Sequence, residues 1–169
     1  MLTSELEKTK RYTSFYMELA ERVAKMSHAK RLQVGSVLVK DDNVISFGWN
    51  GMPSGWDNTC EETEVLLKEE CTHSDDAMRK DGFQETASGW IRSWSKKEVL
   101  HSEANCLMKV ARSTNSSKDS VLYTTHAPCI DCAKLIYQAG ITKVFYRNAY
   151  RSTDGIKFLE KCKVGVENV

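Results

Sequence analysis

The sequence predicts an α/β protein with three layers, α/β/α, around a central mixed five-stranded sheet. Two observations predict this fold: a pair of segments rich in β-branched residues lies early in the chain, and strand-like and helical segments alternate after residue 100. The 169 residues, 41% hydrophobic and 28% charged, suit a single globular domain with a sizeable core. We therefore expect one domain over residues 1–169, interrupted by an insertion at about 57–100.

The first half of the chain predicts a helix followed by a hairpin. Residues 12–27 carry apolar side chains at helical spacing and indicate an amphipathic helix. Residues 33–40 and 44–48 predict two strands, joined by the turn Asp41-Asp42-Asn43. The loop over residues 48–55 is dense in turn residues. The insertion that follows is polar, and we expect some helix near residues 61–71.

The second half predicts the alternation that completes the sheet. Helices are predicted at 102–113, 129–139 and 154–161, and strands at 121–124, 143–146 and 164–166, the last at a sheet edge. Gly140 follows the second of these helices, at the position where glycine commonly ends a helix. Strands that alternate with helices after a hairpin indicate one mixed sheet with helices on its faces.

Composition excludes several classes of protein. The net charge of +1 does not indicate a protein that coats nucleic acid. No apolar run is long enough to span a bilayer, and the first residues lack the apolar core of an export signal, so we expect a cytoplasmic protein. Without export, the six cysteines are expected to be thiols or metal ligands rather than disulfides.

The motif that indicates the chemistry is His101-Ser102-Glu103, followed further along the chain by Pro128-Cys129-Ile130-Asp131-Cys132. Both halves fall at predicted helix starts, where the helix dipole favours thiolates. His101, Cys129 and Cys132 provide three zinc ligands, and a three-ligand site leaves one position for water, as catalytic zinc sites do. Glu103 is placed to move protons between that water and a leaving group.

Other interpretations of the motif remain open. A C-x-x-C pair alone is often a structural zinc site or a redox pair. A zinc-stabilised binding module without chemistry would require a fourth protein ligand. A catalytically silent regulatory subunit is disfavoured because His101, Glu103, Cys129 and Cys132 are all present.

The chain resembles the deoxycytidylate (dCMP) deaminases of the cytidine deaminase superfamily. The resemblance covers roughly residues 12–168, and H-x-E…P-C-x-x-C is the signature of zinc-dependent nucleobase deaminases generally. The stretches that carry it are 34–39 (VGSVLV), 48–55 (GWNGMPSG), 101–105 (HSEAN), 127–134 (APCIDCAK) and 138–141 (QAGI). The loop over residues 48–55 points to dCMP deaminases in particular. The resemblance implies a cytidine deaminase-like fold and zinc-dependent hydrolysis of dCMP to dUMP and ammonia, which would supply dUMP for dTTP synthesis.

The resemblance also implies roles for substrate-binding residues. Asn50 would bind the deoxyribose hydroxyl, while the backbone of Ser102 and the region of His126 and Ala127 would hold the pyrimidine edge. Tyr150 would lie near the 5′-phosphate. Cations within residues 25–31, together with Arg147, could assist there, although for each the alternative is an ordinary surface charge.

Regulation and assembly are likewise implied by the resemblance. Family members commonly form homohexamers that dCTP with Mg²⁺ activates and dTTP inhibits. The candidate residues for that regulatory site lie in the glycine loop and on the helix after the zinc motif: Gly51, Met52, Pro53, Ser54, Gly55, Trp56 and Arg112.

Two departures from the family pattern carry expectations of their own. Ser102 stands where the family usually has alanine, and we expect its small hydroxyl to be tolerated. Val99 and Ala29 stand where some relatives place ligands for a second zinc, so we do not expect that version of the second site. An alternative site from Cys60, Cys71 and His73 has weak support, and free thiols are the better expectation for Cys60, Cys71, Cys106 and Cys162.

The remaining alternatives within enzymes are deaminases of cytidine, dCTP or a single-stranded polynucleotide. Polynucleotide binding needs basic residues interleaved with aromatic ones. A small set of this kind lies before the zinc motif: Trp90, Arg92, Trp94, Lys96 and Lys97. The near-neutral net charge makes nucleic acid a less favoured partner than a single nucleotide.

Overall fold

The computed structural model describes residues 2–169, which contain five α-helices and eight strands. The helices are α1 (Leu2–Ala24), α2 (Asp75–Lys80), α3 (Ser102–Ala111), α4 (Ile130–Gln138) and α5 (Asp154–Lys161). The strands are β1 (Gly35–Lys40), β2 (Asn43–Trp49), β3 (Glu61–Leu67), β4 (Gln84–Thr86), β5 (Gly89–Ser95), β6 (Val121–His126), β7 (Lys143–Asn148) and β8 (Gly165–Asn168). No helix within this range has the length and apolar character needed to cross a membrane.

The central sheet has five strands in the order β2-β1-β6-β7-β8. β1 runs antiparallel to both β2 and β6, whereas β7 runs parallel to both of its neighbours, β6 and β8. β8 lies at one edge, as the sequence indicates. The predicted mixed five-stranded sheet is therefore confirmed.

Alternating side chains divide the core between the two faces of this sheet. On one face, Val37, Tyr123 and Phe145 pack with Met17 and Ala20 of α1. On the other face, the neighbouring strand residues pack against α3, α4 and α5; this cluster includes Leu38, Leu122, Val144, Leu107, Ile136 and Leu159. The period of two along each strand thus produces the three predicted layers.

The hairpin between β1 and β2 closes through a turn whose backbone suits the sheet twist. Asp41 and Asp42 have φ values of 49° and 59°, and Lys40 pairs with Asn43 across the turn. Positive φ at both central residues is typical of type I′ hairpin turns. Gly140, with φ of 74°, lies just beyond the end of α4 and confirms the predicted helix stop.

The segment over residues 57–100 contains a second sheet of three strands, in the order β3-β5-β4. The helix expected near 61–71 is wrong: Glu61–Leu67 is the strand β3, and only Lys68–Glu70 forms a 3-10 turn. Glutamate, leucine and lysine favour helices locally. Pairing with β5 overrides that preference, and Arg92 binds Glu64 across the two strands at 2.6 Å.

Other element boundaries differ from the prediction at their ends. α1 begins at Leu2, ten residues before the predicted start, and its residues 4–11 are exposed and mostly polar. β6 and β7 each continue two residues further, to His126 and Asn148. This extension matters for function, because it places His126 and the following loop at the same end of the sheet as the zinc motif.

Candidate zinc-dependent active site

Two helix N-termini bring the motif residues together. His101 is the N-cap residue of α3 and Cys129 is the N-cap residue of α4, and both have extended backbone. Cys132 lies three residues after Cys129, in the first turn of α4. Gly155 of α5 packs closely on the turn before α4, since a Cβ there would lie only 2.0 Å from the Pro128 carbonyl oxygen. The start of α4 is therefore held by a close backbone contact with α5.

The three predicted ligands form a compact donor set. His101 Nδ1 lies 3.5 Å from Cys129 Sγ and 3.4 Å from Cys132 Sγ, and the three ligand atoms lie within 4.8 Å of one another. Among residues 2–169, this is the one group of three or more histidine, cysteine and acidic side chains arranged to hold a metal. One nitrogen and two sulfurs are ligands that zinc favours, so the residues present fit a zinc ion.

Electrostatics among His101, Cys129 and Cys132 favour one thiolate. The hydrogen bond from the Cys132 thiol, assisted by His101, lowers the pKa of Cys129 to about 4. The same hydrogen bond and burial raise the pKa of Cys132. The hydrogen bond to Cys129 raises the pKa of His101. Cys129 is thus ready to bind a cation, whereas Cys132 and His101 must release protons to do so.

Glu103 lies in the first turn of α3, close enough to His101 and Cys132 to affect their pKa values. Its side chain is buried, and burial raises its own pKa. Its Oε2 accepts a hydrogen bond from Ser102 Oγ at 3.0 Å. A raised pKa brings a carboxyl group closer to the working pH, which favours general acid–base catalysis.

His101, Glu103 and Cys129 line a cleft of about 850 Å³. Clefts of roughly 300–1,000 Å³ are typical of small-molecule sites. All five residues predicted to contact substrate also line it: Asn50, Ser102, His126, Ala127 and Tyr150. Their location agrees with the prediction, while the contact that each makes with substrate stays a prediction.

Asn50 has a structural task that sequence reasoning missed. Its Oδ1 accepts a hydrogen bond from the Val34 N–H, and its Nδ2 donates to the Leu32 carbonyl, both at 2.8 Å. These bonds hold residues 32–34 against the loop after β2, where Leu32 and Val34 also line the cleft. Asn50 keeps one N–H and one lone pair for a ligand, so both tasks are compatible.

The expected phosphate cations divide into two groups. Arg147 Nε binds Glu21 of α1 at 3.1 Å and does not line the cleft. Within residues 25–31, Arg31 is the cation that lines it. Three further lining cations, Lys96, Lys97 and Arg151, were not expected to contact phosphate. Lys96 and Lys97 lie five and four residues before His101, and this proximity is the signal that could have identified them.

Glu61 connects the insertion to this rim. Its buried carboxylate accepts hydrogen bonds from the backbone N–H groups of Lys30 and Arg31 at 2.9 and 3.1 Å. The backbone of Lys96 binds the carbonyl of Cys60 at 2.9 Å. Cys60 and Glu61, at the start of β3, therefore hold two distant segments at the same rim of the cleft. One segment carries Arg31 and the other carries Lys96.

The candidate regulatory residues lie outside the cleft. Gly51 pairs with Leu100 through two backbone hydrogen bonds, and Trp56, at the far end of that loop, has 58% of its side chain exposed. Arg112 is the C-cap residue of α3, at the opposite end of the helix from His101. None of residues 51–56 nor Arg112 lines the cleft, so their regulatory role stays a prediction.

Two alternatives from the sequence lose support. Cys60, Cys71 and His73 do not form a metal-binding group within residues 2–169, and Cys60, Cys71, Cys106 and Cys162 form no disulfide there. The basic and aromatic set before the motif is divided. Trp90 is buried with Met78 and Phe83, and Arg92 is paired with Glu64, so only Trp94, Lys96 and Lys97 face the cleft.

Comparison with known proteins identifies relatives of this site. The family described as the cytidine and deoxycytidylate deaminase zinc-binding region matches residues 10–148. Deoxycytidylate deaminase of Enterobacteria phage T4 is 33% identical over 151 residues, covering 81% of this chain and 78% of the relative. Human deoxycytidylate deaminase is 30% identical over 145 residues, covering 85% and 68%. A dCMP deaminase from cyanophage S-TIM5, solved in complex with dCMP and dUMP, aligns with a TM-score of 0.71 at 38% identity, covering 92% of this chain and 95% of that one.

Proposed function

This chain belongs to the cytidine and deoxycytidylate deaminase family, and from that membership we propose that it hydrolyses dCMP to dUMP and ammonia. The observation that carries the proposal is the placement of buried Glu103 beside the His101, Cys129 and Cys132 donor set, at the base of a cleft of nucleotide size. The phage relative with bound dCMP and dUMP supports this choice of substrate.

His101, Cys129 and Cys132 would hold the zinc ion. When bound, zinc lowers the pKa of a coordinated water to about 7, which makes a nucleophile available at neutral pH. The oxygen of the water bonds to carbon 4 while Glu103 takes one proton from that water. Glu103 then delivers this proton to the ring nitrogen N3. Glu103 then transfers the second water proton to the amino group. The carbon–nitrogen bond breaks and ammonia leaves, so both protons of the water are accounted for.

The cleft rim supports a monophosphate as the group that distinguishes the substrate from a nucleoside. Four cations line it: Arg31, Lys96, Lys97 and Arg151. None of them takes part in an ion pair with another side chain among the residues described. Cations outside ion pairs can bind phosphate oxygens, and arginine can do so through two donors. Tyr150 lines the same rim and would contact the phosphate from the side of the loop after β7.

A comparison of substrates tests the proposal. Zinc-loaded protein is assayed for ammonia release from dCMP, deoxycytidine, cytidine, dCTP and a cytosine-containing single-stranded oligonucleotide. The highest kcat/KM is expected for dCMP. Equal rates for deoxycytidine would refute phosphate recognition, a preference for the oligonucleotide would favour polynucleotide editing, and no ammonia from any substrate would favour a zinc-stabilised binding module.

Charge variants separate phosphate binding from general electrostatics. Lys96→Ala should raise KM for dCMP while leaving the reaction with deoxycytidine unchanged, because deoxycytidine has no phosphate for Lys96 to bind. Lys161→Ala removes the same charge from the exposed end of α5 and is the matched control. An equal change of KM in both variants would contradict a specific contact.

The regulatory and cellular parts of the proposal follow from the family. We propose a homohexamer in the cytoplasm that supplies dUMP for dTTP synthesis, activated by dCTP with Mg²⁺ and inhibited by dTTP. Size-exclusion chromatography and dCMP kinetics, each with and without the effectors, test this. A mass that does not change and a rate insensitive to both nucleotides would count against regulation.

A further inference from the structure

Three buried hydroxyl groups connect the central sheet to the Glu103 carboxylate. Ser36 lies on β1, Ser102 on α3 and Thr124 on β6, and each of these residues is 0% exposed. Ser36 Oγ lies 2.8 Å from Ser102 Oγ and 3.1 Å from Thr124 Oγ1. Ser102 Oγ in turn lies 3.0 Å from Glu103 Oε2. We call Ser36, Ser102 and Thr124 the hydroxyl chain.

Proton counting sets the direction of the bond that reaches Glu103. In the ionised form that takes a proton from water, the Glu103 carboxylate has no proton and only accepts, so Ser102 must donate to it. Ser102 has a single proton, which is then committed, and its oxygen is left to accept from Ser36. Ser36 also donates to Thr124 Oγ1, so its single proton is shared between Thr124 and Ser102. This shared bond supports the orientation of the Ser102 hydroxyl that donates to Glu103.

The bond constrains the least determined torsion of the catalytic side chain. The terminal torsion of a glutamate is broad and roughly two-fold, so packing alone does not fix the plane of its carboxylate. A hydrogen bond to a charged acceptor is among the stronger ones in proteins, and this one is shielded from solvent. An alanine at position 102 could not make this contact.

We propose that Ser102, supported by Ser36, is a positioning residue that fixes the orientation of the Glu103 carboxylate. Ser102 acts through Glu103 and needs no contact of its own hydroxyl with the substrate. The inference rests on the proposed deaminase function, in which Glu103 must face first the water and then the ring nitrogen and amine.

Kinetics of three alanine variants test the proposal. Ser102→Ala is expected to lower kcat for dCMP about tenfold with KM within about twofold, the pattern of an interaction that matters in the transition state. Ser36→Ala should lower kcat by a smaller factor, about threefold, because Ser102 keeps its bond to Glu103 but loses the partner that orients it. The double variant should match Ser102→Ala alone, because residues in one network are not additive.

Ser46→Ala is the matched control. Ser46 is a buried serine of β2, and its hydroxyl donates to the Cys106 carbonyl of α3 at 2.7 Å. The variant removes a buried hydrogen bond to the helix that carries Glu103, but no bond to Glu103 itself. It should lower the Tm about as much as Ser102→Ala while leaving kcat unchanged, and an equal loss of kcat in both would reduce Ser102 to a stability role.

A crystal structure of the zinc-loaded Ser102→Ala variant provides a readout independent of turnover. The Glu103 carboxylate is expected to rotate or to occupy more than one orientation. A single orientation, identical to that of the parent, would overturn the proposal, as would an unchanged kcat. If the parent failed to deaminate dCMP, the proposed function would fall, while the carboxylate orientation would still decide the positioning role.

Discussion

Replacing Gly48 with alanine should displace the helix that carries Glu103. Gly48 is a buried residue of β2 that faces the first turns of α3. A Cβ at this position would lie 2.4 Å from the Ser102 carbonyl oxygen and 2.5 Å from the Cys106 nitrogen, whereas ordinary contact begins at 3.4 Å. Both neighbours are backbone atoms, so they cannot rotate away. Restoring normal contact requires a shift of about 1 Å between α3 and β2, because close-packed interiors do not absorb such an overlap.

The size of the effect follows from that shift. Overpacking of this kind costs about 1–3 kcal/mol. In a chain of this length each kcal/mol lowers the Tm by roughly 2–4 °C, so the variant should melt roughly 2–12 °C below the parent. A misplacement of about 1 Å in a catalytic group can cost on the order of 100-fold in rate. We therefore expect a large loss of kcat for dCMP in protein that is still folded at room temperature.

Thermal unfolding and steady-state kinetics at equal zinc content measure both effects. Gly165→Ala is the matched control, since the nearest atom to its Cβ would be Lys143 Cγ at 3.3 Å, part of a flexible side chain. It should change neither the Tm nor kcat appreciably. If Gly48→Ala kept the Tm and kcat of the parent, the contact between β2 and α3 would not position Glu103 as argued.

Three further predictions concern the cleft rim and the metal. Glu61→Ala should raise KM for dCMP because the segment carrying Arg31 loses two backbone hydrogen bonds. Glu61→Gln keeps an acceptor and should raise KM less. Equal KM values in the parent and Glu61→Ala would show that Glu61 does not position Arg31 for substrate binding. Removing zinc with a chelator should abolish ammonia release and lower the Tm, and restoring zinc should reverse both; activity that survives complete zinc removal would exclude the mechanism. Zinc affinity should fall as pH falls, because zinc must displace protons from His101 and Cys132, whose pKa values are raised before zinc binds. Calorimetry in buffers of different ionisation enthalpy should detect this proton release. No proton release at pH 7 would contradict the assignment of His101 and Cys132 as ligands.

The zinc motif could be predicted from the sequence because its signals are local. His101 and Cys129 both cap helices, and Cys132 follows Cys129 by three residues, so short-range spacing alone places the ligands at helix starts. The alternation of strands and helices that fixes the sheet is also local. Long-range interactions decided the features that were missed.

The insertion shows why local patterns were insufficient there. The residues of β3 favour a helix by composition, and their pairing with β5, more than twenty residues later, decides the strand. The same kind of distant contact builds the cleft rim, where Glu61 holds the backbone of Arg31 about thirty residues earlier in the chain. Ser102 is a further case: its hydroxyl was expected only to be tolerated, and the partner that gives it a task, Ser36, lies on another element.

The most direct test of the account is the rate of dUMP formation from saturating dCMP by Glu103→Gln at the same zinc content as the parent. The variant keeps the size of the side chain and the three metal ligands, and replaces the carboxylate that carries protons with a neutral amide. General acid–base catalysis contributes about 10²–10⁴-fold, so a loss of that size is expected. A variant that forms dUMP as fast as the parent, with zinc bound equally, would contradict the proposed role of Glu103.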